Sequence, residues 1–226
     1  MQKLKVIFED NHIIVVEKKP NIPSQSDKTG DIDMLTLVKE YIKEKYDKPG
    51  NVYLGLVHRL DRPVGGIMIF AKTSKAASRL SNQVREKIFK KEYLAVVDGE
   101  FEQKKGKLED YLYKDERNNI SKVVSKEKKN AKLASLDYEV LKYNNVKNLS
   151  LVKINLHTGR HHQIRVQLAN FKHSIFGDQK YGTRGKGKQI ALWAYKLTIV
   201  HPITKKEMEF IDFPESVGTW CILREK

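Results

Sequence analysis

An α+β fold with a single domain over residues 1–226 is what this sequence predicts, on three observations. Short β-branched runs with hairpin-like spacing recur along the chain. A few stretches keep the 3.6-residue spacing of amphipathic helices. No internal repeat, low-complexity segment or long linker divides the 226 residues, a length that can bury a sizeable core.

Residues 6–9 and 13–17 read as short strands around the turn Asp10-Asn11-His12. Pro20, Pro23, Thr29 and Gly30 make 18–30 a loop. Asp31 or Asp33 caps a helix with Met34, Leu37, Val38, Tyr41 and Ile42 on its apolar face, and Pro49-Gly50 ends it. Residues 67–71 are a buried strand. Thr73 or Ser74 caps a second helix with Ala77, Leu80, Ser81, Val84 and Ile88 on one face and a solvated face of Lys75, Arg79, Arg85 and Lys87.

Residues 92–97 are apolar on both faces, the pattern of an interior strand. A lysine-rich turn is expected at 103–107, and 125–132 is a lysine-rich surface loop. Residues 133–141 alternate, with Ala134, Leu136, Tyr138 and Val140 on one side. After a turn at Asn144-Asn145, residues 149–156 alternate again. A short helix carries Ile164, Leu168 and Phe171, then 176–188 is a basic, glycine-containing loop. Strands follow at 190–200 and 207–211.

Lys and Arg number 43 against 28 acids, a net charge of +15, which predicts attraction to a polyanion, nucleic acid ahead of an anionic membrane surface. The single cysteine, Cys221, excludes an internal disulfide and suits a reducing cytoplasm. No signal-peptide pattern opens the chain and no apolar run approaches bilayer length, so a soluble cytoplasmic protein without a membrane partner is expected.

The most informative stretch is Val57-His58-Arg59-Leu60-Asp61-Arg62-Pro63-Val64-Gly65-Gly66. One carboxylate, Asp61, stands between Arg59 and Arg62, and opposite charges nearby favour its ionised form. Pro63 and the glycine pair predict irregular backbone ahead of the strand. By itself the stretch fits a surface turn with a local ion pair equally well. His157, His161, His162 and His173 with Asp178 match no standard zinc spacing, so no metal is expected.

His58-Arg59-Leu60-Asp61 resembles the first signature of the RluA-type family of RNA pseudouridine synthases. Lys91-Glu92-Tyr93-Leu94-Ala95-Val96-Val97-Asp98-Gly99 resembles a second motif. Thr158-Gly159-Arg160-His161-His162-Gln163-Ile164-Arg165-Val166, with Gly177-Asp178 and Tyr181-Gly182 behind it, resembles a third. The motifs occur in the family's order and span residues 6–214, nearly the whole chain.

The resemblance implies a pseudouridine synthase fold, a long mixed, mainly antiparallel sheet flanked by helices and loops and bearing an RNA-binding cleft. No S4-type RNA-binding module is expected, because it would need further chain ahead of residue 6. The implied activity is an isomerase acting on uridine in structured rRNA or tRNA, by a monomer with no cofactor. The uracil is its own leaving group and returning nucleophile. Asp61 matches the catalytic aspartate, which either adds to the anomeric carbon or removes a ribose proton to give a glycal. Arg165 matches the arginine that pairs with that aspartate, and Tyr93 the tyrosine that lies against the target base.

Arg59 matches the arginine that inserts where the flipped base was, its planar group stacking on the neighbours. Arg62, Arg160 and Lys172 are weaker candidates for phosphate contacts. His162 holds the position of a histidine with an orienting or hydrogen-bonding role. The chain departs from the family with Val64-Gly65-Gly66 in place of Thr-Ser-Gly, Lys172-His173-Ser174-Ile175 in place of Gly-His-Pro-Ile, and Trp193 where histidine is common. These departures bear on loop geometry and substrate choice. The rival function is a non-catalytic, basic RNA-binding or ribosome-assembly protein on the same fold. A metal-dependent phosphoesterase lacks the clustered acids it would need.

Overall fold

The β-branched run that opens the chain becomes strand β2, Ile13–Lys18, held between β1, Val6–Glu9, and β4, Gly65–Ala71. The computed structural model describes residues 4–185 and 188–224, so positions 186 and 187 of the basic loop lie outside the described residues. The chain divides into two compact units, Met1–Lys90 with Ala194–Phe213 and Lys91–Trp193 with Pro214–Lys226.

In the first unit the strand order is β1-β2-β4-β10-β11, where β10 is Leu192–Val200, in this unit from Ala194 on, and β11 is Glu207–Ile211. A two-residue strand β3, Gly55–Leu56, pairs with the end of β4. All seven residues of β4 are buried. Ile13, Val15, Ile67, Ile69, Leu197, Ile199 and Phe210 form one core cluster. The β2–β4 register sets Lys18 opposite Gly66, so the glycine pair belongs to the strand, which follows directly on the turn at 61–64.

Helix α1, Met34–Lys45, is capped by Asp33, whose carboxylate accepts the Thr36 amide at 3.1 Å, a cap worth about 1 kcal/mol. It buries Met34, Val38 and Ile42 and ends at Tyr46, ahead of Pro49-Gly50. Helix α2, Ser74–Arg85, is capped by Thr73. Both ends of the Gln83 amide bond the Val200 backbone, tying α2 to β10. Ile88, expected on the apolar face of this helix, lies beyond its end and is 41% exposed. The chain leaves the helix through Lys87 at φ +59, and Phe89 takes the core position instead.

The second unit orders its strands β5-β9-β8-β6-β7: β5, Lys90–Asp98; β6, Lys105–Asp115; β7, Ile120–Val124; β8, Lys132–Asn144; β9, Leu149–Leu156. Each neighbouring pair is antiparallel. The turn expected at 103–107 is already strand from Lys105, which pairs with Glu139. Helix α3, Gln163–Asn170, buries Ile164 and Leu168, whereas Phe171 is its C-terminal cap and 38% exposed. A short 3₁₀ helix runs over Gly218–Leu223. The α+β class and the mainly antiparallel pairing are as expected. No helix among the described residues is long and apolar enough to cross a membrane.

Candidate active site

Pro63 sits inside a tight turn that the Val64 amide closes on the Asp61 carbonyl at 2.9 Å. The backbone around it is clamped from residues far away in sequence. Ser24 Oγ donates to the Leu60 carbonyl at 2.8 Å and accepts the Leu60 amide at 3.1 Å. Lys18, fully buried, donates from Nζ to the carbonyls of Val64 at 2.7 Å, Arg62 at 2.9 Å and Lys19 at 3.2 Å. The Asn21 amide donates to the Arg62 carbonyl as well. Burial pushes the Lys18 ammonium down to about 7, and the charge of Asp61 opposes that shift. This clamp was not legible in the sequence, where Lys18 reads as the first residue of a loop.

Gly66 is the second fixed point. Its φ is +123, and a Cβ there would lie 2.3 Å from the Ala194 carbonyl oxygen, so no side chain fits. The glycine is retained where Val64 and Gly65 depart from the family's hydroxyl residues. His58 is buried, packs on Phe89 and accepts the Ile69 amide on Nε2 at 3.2 Å. Arg59 is exposed and has no hydrogen-bond or ion-pair partner among the described residues. Arg62 points to acids: Nη1 meets Thr29 Oγ1 at 3.0 Å and Asp27 at 3.7 Å, and Nη2 meets Asp31.

In the second unit, the motif around Arg165 is organised by Gln163. Its Oε1 accepts the Arg160 amide at 3.0 Å and the Thr158 hydroxyl at 2.7 Å, while Nε2 donates to the Ser135 carbonyl at 3.1 Å. Arg160 donates from Nε to the Leu133 carbonyl at 2.9 Å. Arg165 is only 4% exposed, and donates from Nε and Nη2 to the two oxygens of Asp178 at 2.8 and 2.7 Å. The Asp178 carboxylate also accepts the amides of Lys180 and Tyr181. Sequence reading gave Arg165 an acid partner in Asp61. Asp178 is the acid that holds it within this unit, and its place behind Gly177 in the third motif was the signal available.

The ring of Tyr181 lies under the Arg165 guanidinium, 5.3 Å from its centre. The Tyr181 hydroxyl accepts the Ser121 amide at 2.7 Å and stands 2.8 Å from His162 Nδ1. The phenolic oxygen can receive a hydrogen from Nδ1–H or donate its own to a bare Nδ1, so the contact holds the His162 ring in either neutral tautomer. Burial, and then the Arg165 charge, push the His162 imidazole down to about 2. His162 is itself in the left-handed region at φ +52, stacked on His161 at 3.7 Å. His157 and His173 have separate partners, Asp137 and the Asp98 carbonyl. Tyr93 lies buried on β5, paired with Ile154. Asp61, Arg59 and Arg62 thus belong to the first unit, and Tyr93, Arg160, His162 and Arg165 to the second.

Residues 12–170 match the family described as RNA pseudouridylate synthase. The chain belongs to that family. It is 34% identical to an uncharacterized RNA pseudouridine synthase of Bacillus subtilis, over 89% of this chain and 66% of that protein. It is 29% identical to the ribosomal large subunit pseudouridine synthase D of Zymomonas mobilis, over 92% of this chain and 68% of the relative. The chain thus spans about two thirds of the length of the curated relatives it matches. Among solved structures it shares its fold with human RNA pseudouridylate synthase domain containing 1, at a TM-score of 0.78 and 20% identity, covering 97% of this chain and 86% of the other.

Within this family member, the two clamps do different physical work. Lys18 holds backbone carbonyls, so it fixes the shape of the loop that carries Asp61. Asp178 holds a side chain, so the plane of the Arg165 guanidinium is set by a fork-to-fork pair that a lysine could not replace.

Proposed function

We propose that the chain is an RNA pseudouridine synthase that isomerises uridine in structured rRNA or tRNA, with Asp61 as its catalytic carboxylate. The observation that carries this reading is the family match over residues 12–170, which takes in Asp61, Tyr93 and Arg165 together. In the reaction the bond from uracil N1 to ribose C1′ breaks, the base turns, and C5 bonds to C1′. C5 then gives up its proton and N1 gains one, so no atom is gained or lost and no cofactor is needed. Asp61 serves either as the nucleophile at C1′ or as the base that gives a glycal. Arg165 supplies the cation for that carboxylate, and Tyr93 supports the base. The buried, forked hold on Arg165 and the clamped backbone around Asp61 support these roles, since catalytic groups need fixed geometry.

Reaching a stacked uridine requires flipping it out, at a cost of a few kcal/mol. Arg59 fills the gap, which its exposure and lack of a partner among the described residues favour. Arg160 contacts phosphate and His162 orients the third motif. The net charge of +15 supplies sequence-independent affinity for RNA. An rRNA target is favoured over tRNA by the large-subunit synthase of Zymomonas among the relatives. The protein acts as a cytoplasmic monomer. The rival reading, a non-catalytic RNA-binding protein, has no use for retaining Asp61, Tyr93 and Arg165 together.

The test is tritium release from RNA labelled at uridine C5, using total RNA from a strain lacking the protein. Wild type should release tritium, and Asp61→Asn should release none while binding the same RNA within a few-fold of wild type. Equal release by the two proteins would reject the assignment of Asp61, and tight binding without release by wild type would favour the rival.

A further inference from the structure

Lys91 opens the second motif and has no place in the chemistry described above. Its side chain is half-buried, yet its ammonium has no hydrogen bond or ion pair among the described residues. Burial alone lowers its pKa, with no acid offsetting the effect. Glu92 pairs with Asn155, so Lys91 lies beside the chain as it leaves β9 for His157-Thr158-Gly159. There the ammonium rests against Gly159: a Cβ at that glycine would meet Lys91 Nζ at 3.4 Å and nothing else nearer than 4 Å. The Gly159 amide likewise has no partner among the described residues, and the Arg160 guanidinium is engaged only through Nε. The Lys91 ammonium and the Gly159 amide thus meet at an exposed glycine, with a second cation, Arg160, on the next residue.

A half-dehydrated ammonium without a counter-ion is costly to maintain in a resting protein, and an incoming anion offsets that cost. The identity of the anion follows from the strand. Lys91 and Tyr93 are two residues apart and therefore on the same face of β5, about 7 Å from each other. That is close to the span from a nucleobase to its own phosphate. We propose that Lys91, the Gly159 amide and the Arg160 guanidinium form a subsite for one phosphodiester of the RNA strand, adjoining the uridine whose base Tyr93 supports. The subsite rests on the reading of this chain as an RNA pseudouridine synthase.

The test reads charge neutralisation directly. Binding of a fluorescein-labelled, uridine-containing single-stranded RNA is measured over a series of KCl concentrations for wild type, Lys91→Gln and Lys91→Arg. One lost phosphate contact lowers the slope of log affinity against log salt by about 0.7 on a single strand. Lys91→Gln should show that loss and Lys91→Arg should keep the wild-type slope. An unchanged slope in Lys91→Gln overturns the subsite. So does weaker binding at an unchanged slope, the signature of a distorted loop. Lysine acetylation of the wild-type protein with and without the RNA needs no variant to fold: Lys91 should be protected, and equal labelling overturns the proposal. Pseudouridine formation by the wild type is measured separately. If it is absent while Lys91 passes both tests, the catalytic reading falls and the subsite stands; if it is present and Lys91 fails, the subsite alone falls.

Discussion

Arg165 and Asp178 meet through two parallel hydrogen bonds, Nε to Oδ2 at 2.8 Å and Nη2 to Oδ1 at 2.7 Å, with the acid's side chain fully buried and the arginine's nearly so. Such a pair adds little net stability when intact, because both charges were taken from water, but it is expensive to break. Asp178→Asn should therefore destabilise the protein by about 3–5 kcal/mol. Urea unfolding of the variant against wild type measures it, and a loss below about 1 kcal/mol, the range of an exposed pair, would show that Arg165 has another sufficient partner.

Tyr181→Phe keeps the ring under Arg165 and removes only the hydroxyl. It strands the Ser121 amide and His162 Nδ1, which should cost about 1–3 kcal/mol. The NMR signature is specific: the Nδ1 resonance of wild-type His162 should carry the shift of a hydrogen-bonded ring nitrogen, and the variant should lose it. An unchanged Nδ1 resonance in the variant would contradict the contact.

His162 also makes the fold acid-sensitive. Its pKa falls from 6.5 to about 2 on folding, so below 6.5 the unfolded chain binds a proton that the folded chain refuses. Stability from this group is intact above 6.5 and is lost as pH drops towards 2. His162→Gln should flatten the acid limb of stability against pH; an unchanged limb would mean that another group sets it.

Lys18→Met should take the Nζ donor from the Val64 carbonyl, leave the Arg62 carbonyl to the Asn21 amide alone, and slow isomerisation more than it weakens RNA binding. The lysine's pKa is lowered from 10.5 to about 7, so between those values the unfolded chain holds the extra proton. Wild-type stability should accordingly rise, relative to Lys18→Met, as pH increases from 7 towards 10.5. Parallel pH profiles for the two proteins would argue against a buried, dehydrated ammonium.

Arg59→Ala should slow single-turnover isomerisation of a uridine held in a helix-flanked loop more than one in a flexible strand, where unstacking costs less. Arg165→Ala should slow both alike. Equal slowing of both substrates by Arg59→Ala would recast Arg59 as a phosphate contact.

What could be read in the sequence was whatever local pattern encodes. Asp33 and Thr73 announced their helices because a cap is a contact three residues long. The strands at 13–17, 67–71 and 92–97 were legible because they are buried on both faces. The hairpin of β6 and β7 was not, since its charged residues, such as those of Lys105–Asp115, line solvated faces and mimic loop composition. Ile88 failed because a left-handed residue ends helical spacing without a glycine to mark it. In the candidate site the motif residues were legible by resemblance. Lys18 was not, and Tyr181 was legible as a motif residue but not in its contacts, because each acts on a partner forty or more residues away, Lys18 on Val64 and Tyr181 on Ser121.

The first unit is interrupted in sequence: Ala194–Phe213 supplies β11 and most of β10 only after all of Lys91–Trp193. During synthesis, then, the second unit's strands are contiguous and can condense as they emerge, while β4 waits without β10, one edge paired only by the two residues of β3. Gly66 packs against the backbone of Ala194, the first residue of the returning segment. The nascent chain therefore carries an unfinished Asp61 loop until Ala194 and the residues after it leave the ribosome. Over that interval an apolar strand edge is open to chaperones and to neighbouring chains.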